Sequence, residues 1–229
     1  MQDCKPGVAP VVKGDKLSKD QCPKNEVEMR TMKDVPYASV VGCLMYIQVC
    51  TRPDIAFSIN ILGRFSSNPG WAYWVAAKKV MRYLQRTKDF MLVYKKVDDL
   101  DLLVHSDSDF AGCQDTMTST SEYIFMFGGG AISWKSEKQN ITTTSTMEAE
   151  FIACFETESH AVWMKNFPTK LQIIDFISKP VTIFCDNSAV VFFSKNNKRT
   201  RGSKHVSLKF LKVRDMVKEG DTCIEHISI

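Results

Sequence analysis

A chain of 229 residues and 26.0 kDa, 44% hydrophobic and 24% charged, has the length for one large domain or for a domain with a smaller appendage. That composition excludes a disordered, collagen-like or coiled-coil chain, and no apolar run approaches the roughly 18 residues of a membrane span. Thirty Lys and Arg against 26 Asp and Glu leave a formal charge of +4, so any electrostatic partner has to be read from where charge clusters.

Residues 1–34 are polar, carry Pro6, Gly7, Pro10, Gly14 and Pro23, and read as a linker. No apolar signal segment opens them, and the eight cysteines (4, 22, 43, 50, 113, 154, 185 and 223) show neither zinc-knuckle nor redox-pair spacing. Together these predict reduced thiols acting as small buried hydrophobes in an intracellular, non-secreted protein. Residues 35–90 read as helical. Val40, Leu44 and Ile47 recur at helical spacing, and Thr51-Arg52-Pro53-Asp54 stops one helix and starts another. Trp71, Trp74, Ala77, Met81 and Leu84 make the next apolar stripe, with Lys78, Lys79, Arg82 and Arg86 nearby.

The pattern changes at residue 91. Met91–Tyr94 and Leu102–His105 read as strands. Tyr123–Phe127 and Ala131–Trp134 read as a hairpin around Gly128-Gly129-Gly130. Ser145 and Glu148 form a capping box for a helix carrying Phe151, Cys154 and Phe155. Val181–Cys185 is a strand running into Asp186-Asn187-Ser188, which caps a further helix. A helix from about Val206 to Glu219 and a strand Cys223–Ile227 complete an α/β plan with a mixed sheet.

Three carboxylates fall where active-site carboxylates are built. Asp107 follows a strand, Glu150 lies in the first turns of a helix, and Asp186 ends a strand. If the two strands are parallel neighbours, both aspartates emerge at the same sheet edge, and a helix on the sheet could aim Glu150 at the same point. Such a group repels itself unless a cation sits within it, and hard oxygen donors suit Mg²⁺ or Mn²⁺.

The ordered motifs resemble the C-terminal part of copia-type retrotransposon polyproteins, from the end of the reverse transcriptase into ribonuclease H. They are YASVVGCLMY at 37–46, TRPDIAF at 51–57, AKKVMRYL at 77–84, SDSDFAG at 106–112, STMEAEF at 145–151, CDNS at 185–188 and SKHV at 203–206. The resemblance implies a ribonuclease H-like mixed five-stranded sheet flanked by helices over residues 91–229, preceded by a small helical segment over 35–90 that ends the reverse transcriptase. It implies metal-dependent hydrolysis of the RNA strand of RNA–DNA hybrids, with two Mg²⁺ (or Mn²⁺) ions and Asp107, Glu150 and Asp186 as catalytic and metal residues. Glu148 is the capping-box partner, and Asp109 belongs to the first motif without being a core ligand.

The departures are as specific. The family's fourth metal aspartate lies on a helix after the last strand, whereas this sequence stops at Ile229, so the expectation is a truncated domain with weakened cleavage. Met117–Tyr123 lacks two basic residues of the family pattern and carries Glu122 in place of a glycine, and Ser207 replaces an aspartate. Val97-Asp98-Asp99 is a turn, not a polymerase motif.

Nine basic residues (Lys195, Lys198, Arg199, Arg201, Lys204, Lys209, Lys212, Arg214 and Lys218) fall between 195 and 218, opposed by Asp215 alone. A one-sided cluster fits phosphate contact, with Lys195, Lys198, Arg199, Arg201, Lys204 and His205 as candidate nucleic-acid contacts. The expected partners are RNA–DNA hybrid or other nucleic acid and other polyprotein fragments, without a membrane, in the cytoplasm (virus-like particle) or nucleus. The alternatives are a nucleic-acid-binding module that no longer cleaves, or a transposon relic without function.

Overall fold

The computed structural model describes residues 4–11, 17–96, 101–170, 179–196 and 204–228, without the side chains of 168, 169 and 204–207. Contacts divide the chain into two compact units, one of 1–92 with 113–116 and one of 93–112 with 117–229.

The first unit is helical: α1 (Glu26–Lys33), α2 (Tyr37–Thr51), α3 (Ala56–Gly63) and α4 (Trp71–Arg86). The linker expected over 1–34 therefore gives way to a helix. Asn25 caps α1 by accepting the Glu28 N–H at 2.9 Å, and Leu17, Cys22 and Met32 pack on the unit's core. The polar composition of 1–34 hid these few anchors. The buried face of α4 is Tyr73, Ala76, Ala77 and Val80, one position off the tryptophan stripe read from sequence. Trp71 stays half exposed under the Lys78 ammonium, 5.1 Å from its ring centre. At the α2–α3 junction Arg52 is buried and forks onto Asp54 (2.9 and 2.7 Å), while its guanidinium also donates to the Thr87 hydroxyl (2.5 Å) and carbonyl (3.3 Å). Tyr83 adds a hydroxyl to the same Asp54 carboxylate at 2.7 Å.

The second unit is a five-stranded sheet with helices: β1 (Leu102–Asp109), β2 (Thr120–Phe127), β3 (Gly130–Lys138), α5 (Thr146–Lys170), β4 (Val181–Cys185), α6 (Ser188–Lys195), α7 (Lys204–Glu219) and β5 (Thr222–His226). The strand order is β3-β2-β1-β4-β5, antiparallel through β3-β2-β1 and parallel through β1-β4-β5. This is the ribonuclease H-like arrangement the sequence predicts. Gly128 and Gly129, both at positive φ (56° and 78°), make the two-residue β2–β3 turn that L side chains resist. Residues 91–96 carry no strand, contrary to the sequence reading; Tyr94 instead donates its hydroxyl to the Ala131 carbonyl at 2.7 Å.

Alternation along β1 sends Leu102, Val104 and Ser106 inward and leaves Leu103, His105 and Asp107 on the other face. The inward residues meet Ile183, Cys185, Ile224 and, from the helices, Phe151, Cys154, Val190, Phe210 and Val213. Along α5 the rings of His160, Trp163 and Phe167 continue a near-parallel stack begun by Tyr123 of β2, with neighbouring centres 5.3, 5.4 and 5.0 Å apart. No helix among the described residues is long and apolar enough to cross a membrane.

Candidate active site

The parallel register of β1 and β4 ends at His105↔Phe184. Carried on two residues, it sets Asp107 opposite Asp186, both exposed and on one sheet face. Asn187 stops β4 and starts α6, its side-chain oxygen accepting the N–H groups of Ala189 (3.1 Å) and Val190 (3.3 Å). Asp186 is thus fixed at a strand-to-helix turn, and His226 Nε2 lies 3.0 Å from its carbonyl oxygen.

Glu150 arrives from α5. The helix start is held by the Ser145 hydroxyl, which accepts the Glu148 N–H at 3.2 Å, and by the Glu148 carboxylate, which accepts the Thr144 N–H and hydroxyl at 2.8 Å each. Gln139, buried beyond the end of β3, donates to the Ser121 hydroxyl and the Ala149 carbonyl, both at 2.9 Å, and so pins the first turn of α5 beside β2. Nothing in the sequence pattern singled out Gln139; its one signal is an uncharged polar residue closing a strand.

The Glu150 side chain is buried. Its Oε1 accepts the Ser108 N–H (3.1 Å) and hydroxyl (2.8 Å), and its Oε2 lies 4.0 Å from Cys185 Sγ. Burial pushes the carboxyl up to about 7; the Ser108 hydroxyl pulls it back, and the charges of Asp107 and Asp186 push it further. One donor atom each from Glu150, Asp186 and Cys185 lie within 4.8 Å of one another. Asp107 stands outside that group. It joins through Ser108, whose N–H it also accepts at 2.8 Å, and through its charge.

Glu122 is the direct cross-strand neighbour of Asp107, accepts the Ser136 hydroxyl at 2.7 Å, and is raised by burial and by the charges of Asp107 and Asp109. The Asp109 carboxylate packs against Gly112, where a Cβ would collide with it.

Of the predicted nucleic-acid contacts, Lys195 ends α6 with its side chain exposed. Lys198, Arg199 and Arg201 lie outside the described residues. Lys204 and His205 open α7. Two cations of the wider cluster face α5: Lys209 sits 4.8 Å over the Phe155 ring, and Lys212 acts on Glu158.

A sheet ordered 3-2-1-4-5, with carboxylates gathered where its parallel strands end, defines the ribonuclease H-like class. No family model matches the chain. It is 39% identical over 228 residues, its whole length, to the retrovirus-related Pol polyprotein from transposon TNT 1-94 of Nicotiana tabacum, and it spans 17% of that polyprotein. It is 42% identical over 133 residues to secreted RxLR effector protein 161 of Plasmopara viticola, covering 58% of this chain and 94% of that one. Among solved structures, a foamy viral protease-reverse transcriptase in complex with double-stranded DNA aligns with 90% of this chain and 35% of its own at 9% identity and a TM-score of 0.50. The LC11 ribonuclease H1 in complex with RNA/DNA hybrid aligns with 56% of this chain and 86% of its own at 14% identity and a TM-score of 0.42. Its homologues include retrovirus-related Pol polyproteins of plant transposons, 33–39% identical over 84–100% of this chain, and it spans only 13–17% of their length.

Proposed function

We propose that this chain is the ribonuclease H part of a copia-type Pol polyprotein, with residues 35–90 as the end of its reverse transcriptase, and that it hydrolyses the RNA strand of RNA–DNA hybrids. The observation that carries this reading is the meeting of Glu150 from α5 with Asp186 from the end of β4, and the tie from Glu150 through Ser108 to Asp107.

The donor set fits a divalent cation. Carboxylate donors of Glu150 and Asp186 lie together, the charge of Asp107 also acts on Glu150, and no basic side chain is among the groups acting on it. Asp107, Glu150 and Asp186 would hold Mg²⁺ or Mn²⁺. A bound cation supplies Lewis acidity to a phosphodiester and lowers the pKa of an attacking water. The protein's own part is orientation. Ser108 engages Glu150 Oε1 with two donors, which fixes the carboxylate plane and leaves Oε2 on the side of Cys185, 4.0 Å from its Sγ. Asp107 and Asp186, both exposed, offer their charge at the solvent side, where a hybrid backbone can approach. Lys195, with the basic residues that follow it, supplies sequence-independent attraction to the phosphates.

The test is cleavage of a labelled RNA–DNA hybrid in Mg²⁺ or Mn²⁺. Each of Asp107→Asn, Glu150→Gln and Asp186→Asn should lower the rate by at least about 10²-fold while hybrid affinity stays within a few-fold. Metal-dependent cleavage that survives all three substitutions overturns the assignment. Hybrid binding without cleavage in the unsubstituted chain identifies the non-cleaving binding module instead.

A further inference from the structure

Helix α2 is apolar on both of its sides. Tyr37, Val41 and Leu44 recur at helical spacing and are buried in the core of the helical unit. The opposite side runs along Ala38, Gly42, Tyr46 and Val49, with Ser39 and Cys50 beside them, and all six are exposed. Tyr46 and Val49 are 73% and 68% exposed. An outward helix face ordinarily carries charge, yet no charged residue occurs from Tyr37 to Thr51.

Charge, shape and area each match this face to a second copy of itself. A two-fold contact sets the same patch against itself, so any charge would meet its like; a face with none is spared that repulsion. The small residues Ala38, Ser39 and Gly42 lie in the first half of the face, and Tyr46, Val49 and Cys50 in the second. Antiparallel pairing that sets Gly42 opposite Tyr46 also sets Ser39 opposite Val49 and Ala38 opposite Cys50, so each larger side chain meets a smaller one. Gly42 provides the notch, since a Cβ built there meets nothing within 4 Å. Met45, Tyr46, Ile47 and Val49 alone expose roughly 500 Å² per copy, above what a monomer usually leaves contiguous; two copies would bury about 1,000 Å², the lower bound for a specific interface.

We propose that two copies of this chain associate through α2, running antiparallel, with Tyr46 of each seated over Gly42 of the other. The pairing does not rest on hybrid cleavage, because none of the carboxylates of the candidate active site takes part in it.

Sedimentation equilibrium of the full chain in reducing buffer should show a reversible monomer–dimer equilibrium with a Kd of roughly 10–100 μM, as suits so small an area. Tyr46→Glu and Gly42→Leu should each weaken it about tenfold or more. Neither should lower the melting temperature measured below about 1 μM, where every form is monomeric: Tyr46 is exposed, and the space over Gly42 is open while leucine favours the helix. Leu208→Glu, at an exposed position of α7, should leave the Kd within about twofold. Orientation is read by mild oxidation of a chain carrying Ala38→Cys and Cys43→Ser. The expected disulfide joins position 38 of one copy to Cys50 of the other. A chain that stays monomeric to about 1 mM overturns the pairing and leaves the face to a different protein. A dimer indifferent to both α2 substitutions, or an interchain Cys50–Cys50 disulfide alone, overturns it as well.

Discussion

Glu158 is a carboxyl with no exposed surface on α5. Its Oε1 accepts the Thr222 hydroxyl of β5 at 2.8 Å, and its Oε2 has no partner among the described residues. Burial lifts it from 4.5 to about 8, against smaller opposing pulls from the Thr222 hydroxyl and then Lys212. The folded state therefore holds a proton that the unfolded chain releases near 4.5. The stabilisation is complete below that pH and is lost as pH rises through about 8. Thermal melting should show the unsubstituted chain losing stability between pH 5 and 9. Glu158→Gln keeps the shape without the charge and should flatten that dependence; an equally steep loss in the variant would refute the account. Arg52 is the corresponding residue of the helical unit. Asp54 keeps 32% of its side chain in water, so Arg52→Ala should cost roughly 2–3 kcal/mol, below the figure for a fully buried pair. Arg52→Lys recovers only part, because an ammonium cannot fork onto Asp54 while also reaching Thr87; urea unfolding measures both. Strand ends and helix starts are legible in pattern, which brings Asp107, Glu150 and Asp186 forward as candidates, and the resemblance implies their roles. Glu158 was illegible. A glutamate among Glu156 and Ser159 looks like a solvated face.

At the scale of elements, α5 matters most, since it brings Glu150 to the sheet. Its capping box was legible in Ser145 and Glu148, yet the glutamate returns to Thr144, one residue earlier than the ideal box. Ser145→Ala should cost about 1 kcal/mol. The anchor that pattern could not show is Gln139, joined to α5 and β2 only through tertiary structure. Gln139→Ala leaves the Ala149 carbonyl and Ser121 hydroxyl buried without that donor, an expected loss of about 1–3 kcal/mol. It also frees the first turn of α5. Hybrid cleavage should fall about tenfold or more with hybrid Kd nearly unchanged, and a fall in binding with cleavage rate intact would contradict a positioning role. Strands β1 to β5 were recoverable from alternation. Met91–Tyr94 was not, because its apolar side chains stay largely exposed on irregular chain that pairs with no strand, with only the Tyr94 hydroxyl bonded to the Ala131 carbonyl.

For the whole molecule, each unit closes its own core, one around Tyr37, Ile59 and Tyr73 and the other around Val104, Phe151 and Ile183. Change in hydropathy near residue 91 made that division readable, since helical spacing gives way there to alternation. The charge balance was less readable, because composition counts Lys209 and Lys212 as free cations although both face α5. Hybrid affinity should therefore fall steeply with salt, with each true phosphate contact adding about −0.7 to −0.9 to the log–log slope. Lys195→Ala should reduce the slope by about 1, whereas Lys209→Ala should leave it unchanged. Equal effects of the two substitutions would mean that the Phe155 contact does not hold Lys209 away from the substrate.

The stacked rings along α5 have a photophysical consequence. The Trp163 indole lies face to face with the His160 imidazole, whose Nε2 is 3.1 Å from the Ser133 hydroxyl, and burial and Lys135 hold the imidazole's pKa below its ordinary 6.5. An imidazolium accepts an electron from excited indole far more readily than the neutral ring does. Emission from Trp163 should thus be bright at neutral pH and dim as pH falls through a midpoint below 6.5. Trp163→Phe should remove that step while leaving the signal of Trp71, Trp74 and Trp134. When α5 itself unfolds, the helical spacing that stacks the two rings is lost and the ring loses its quencher, so acid-dimmed fluorescence that recovers on unfolding turns this helix into its own optical reporter.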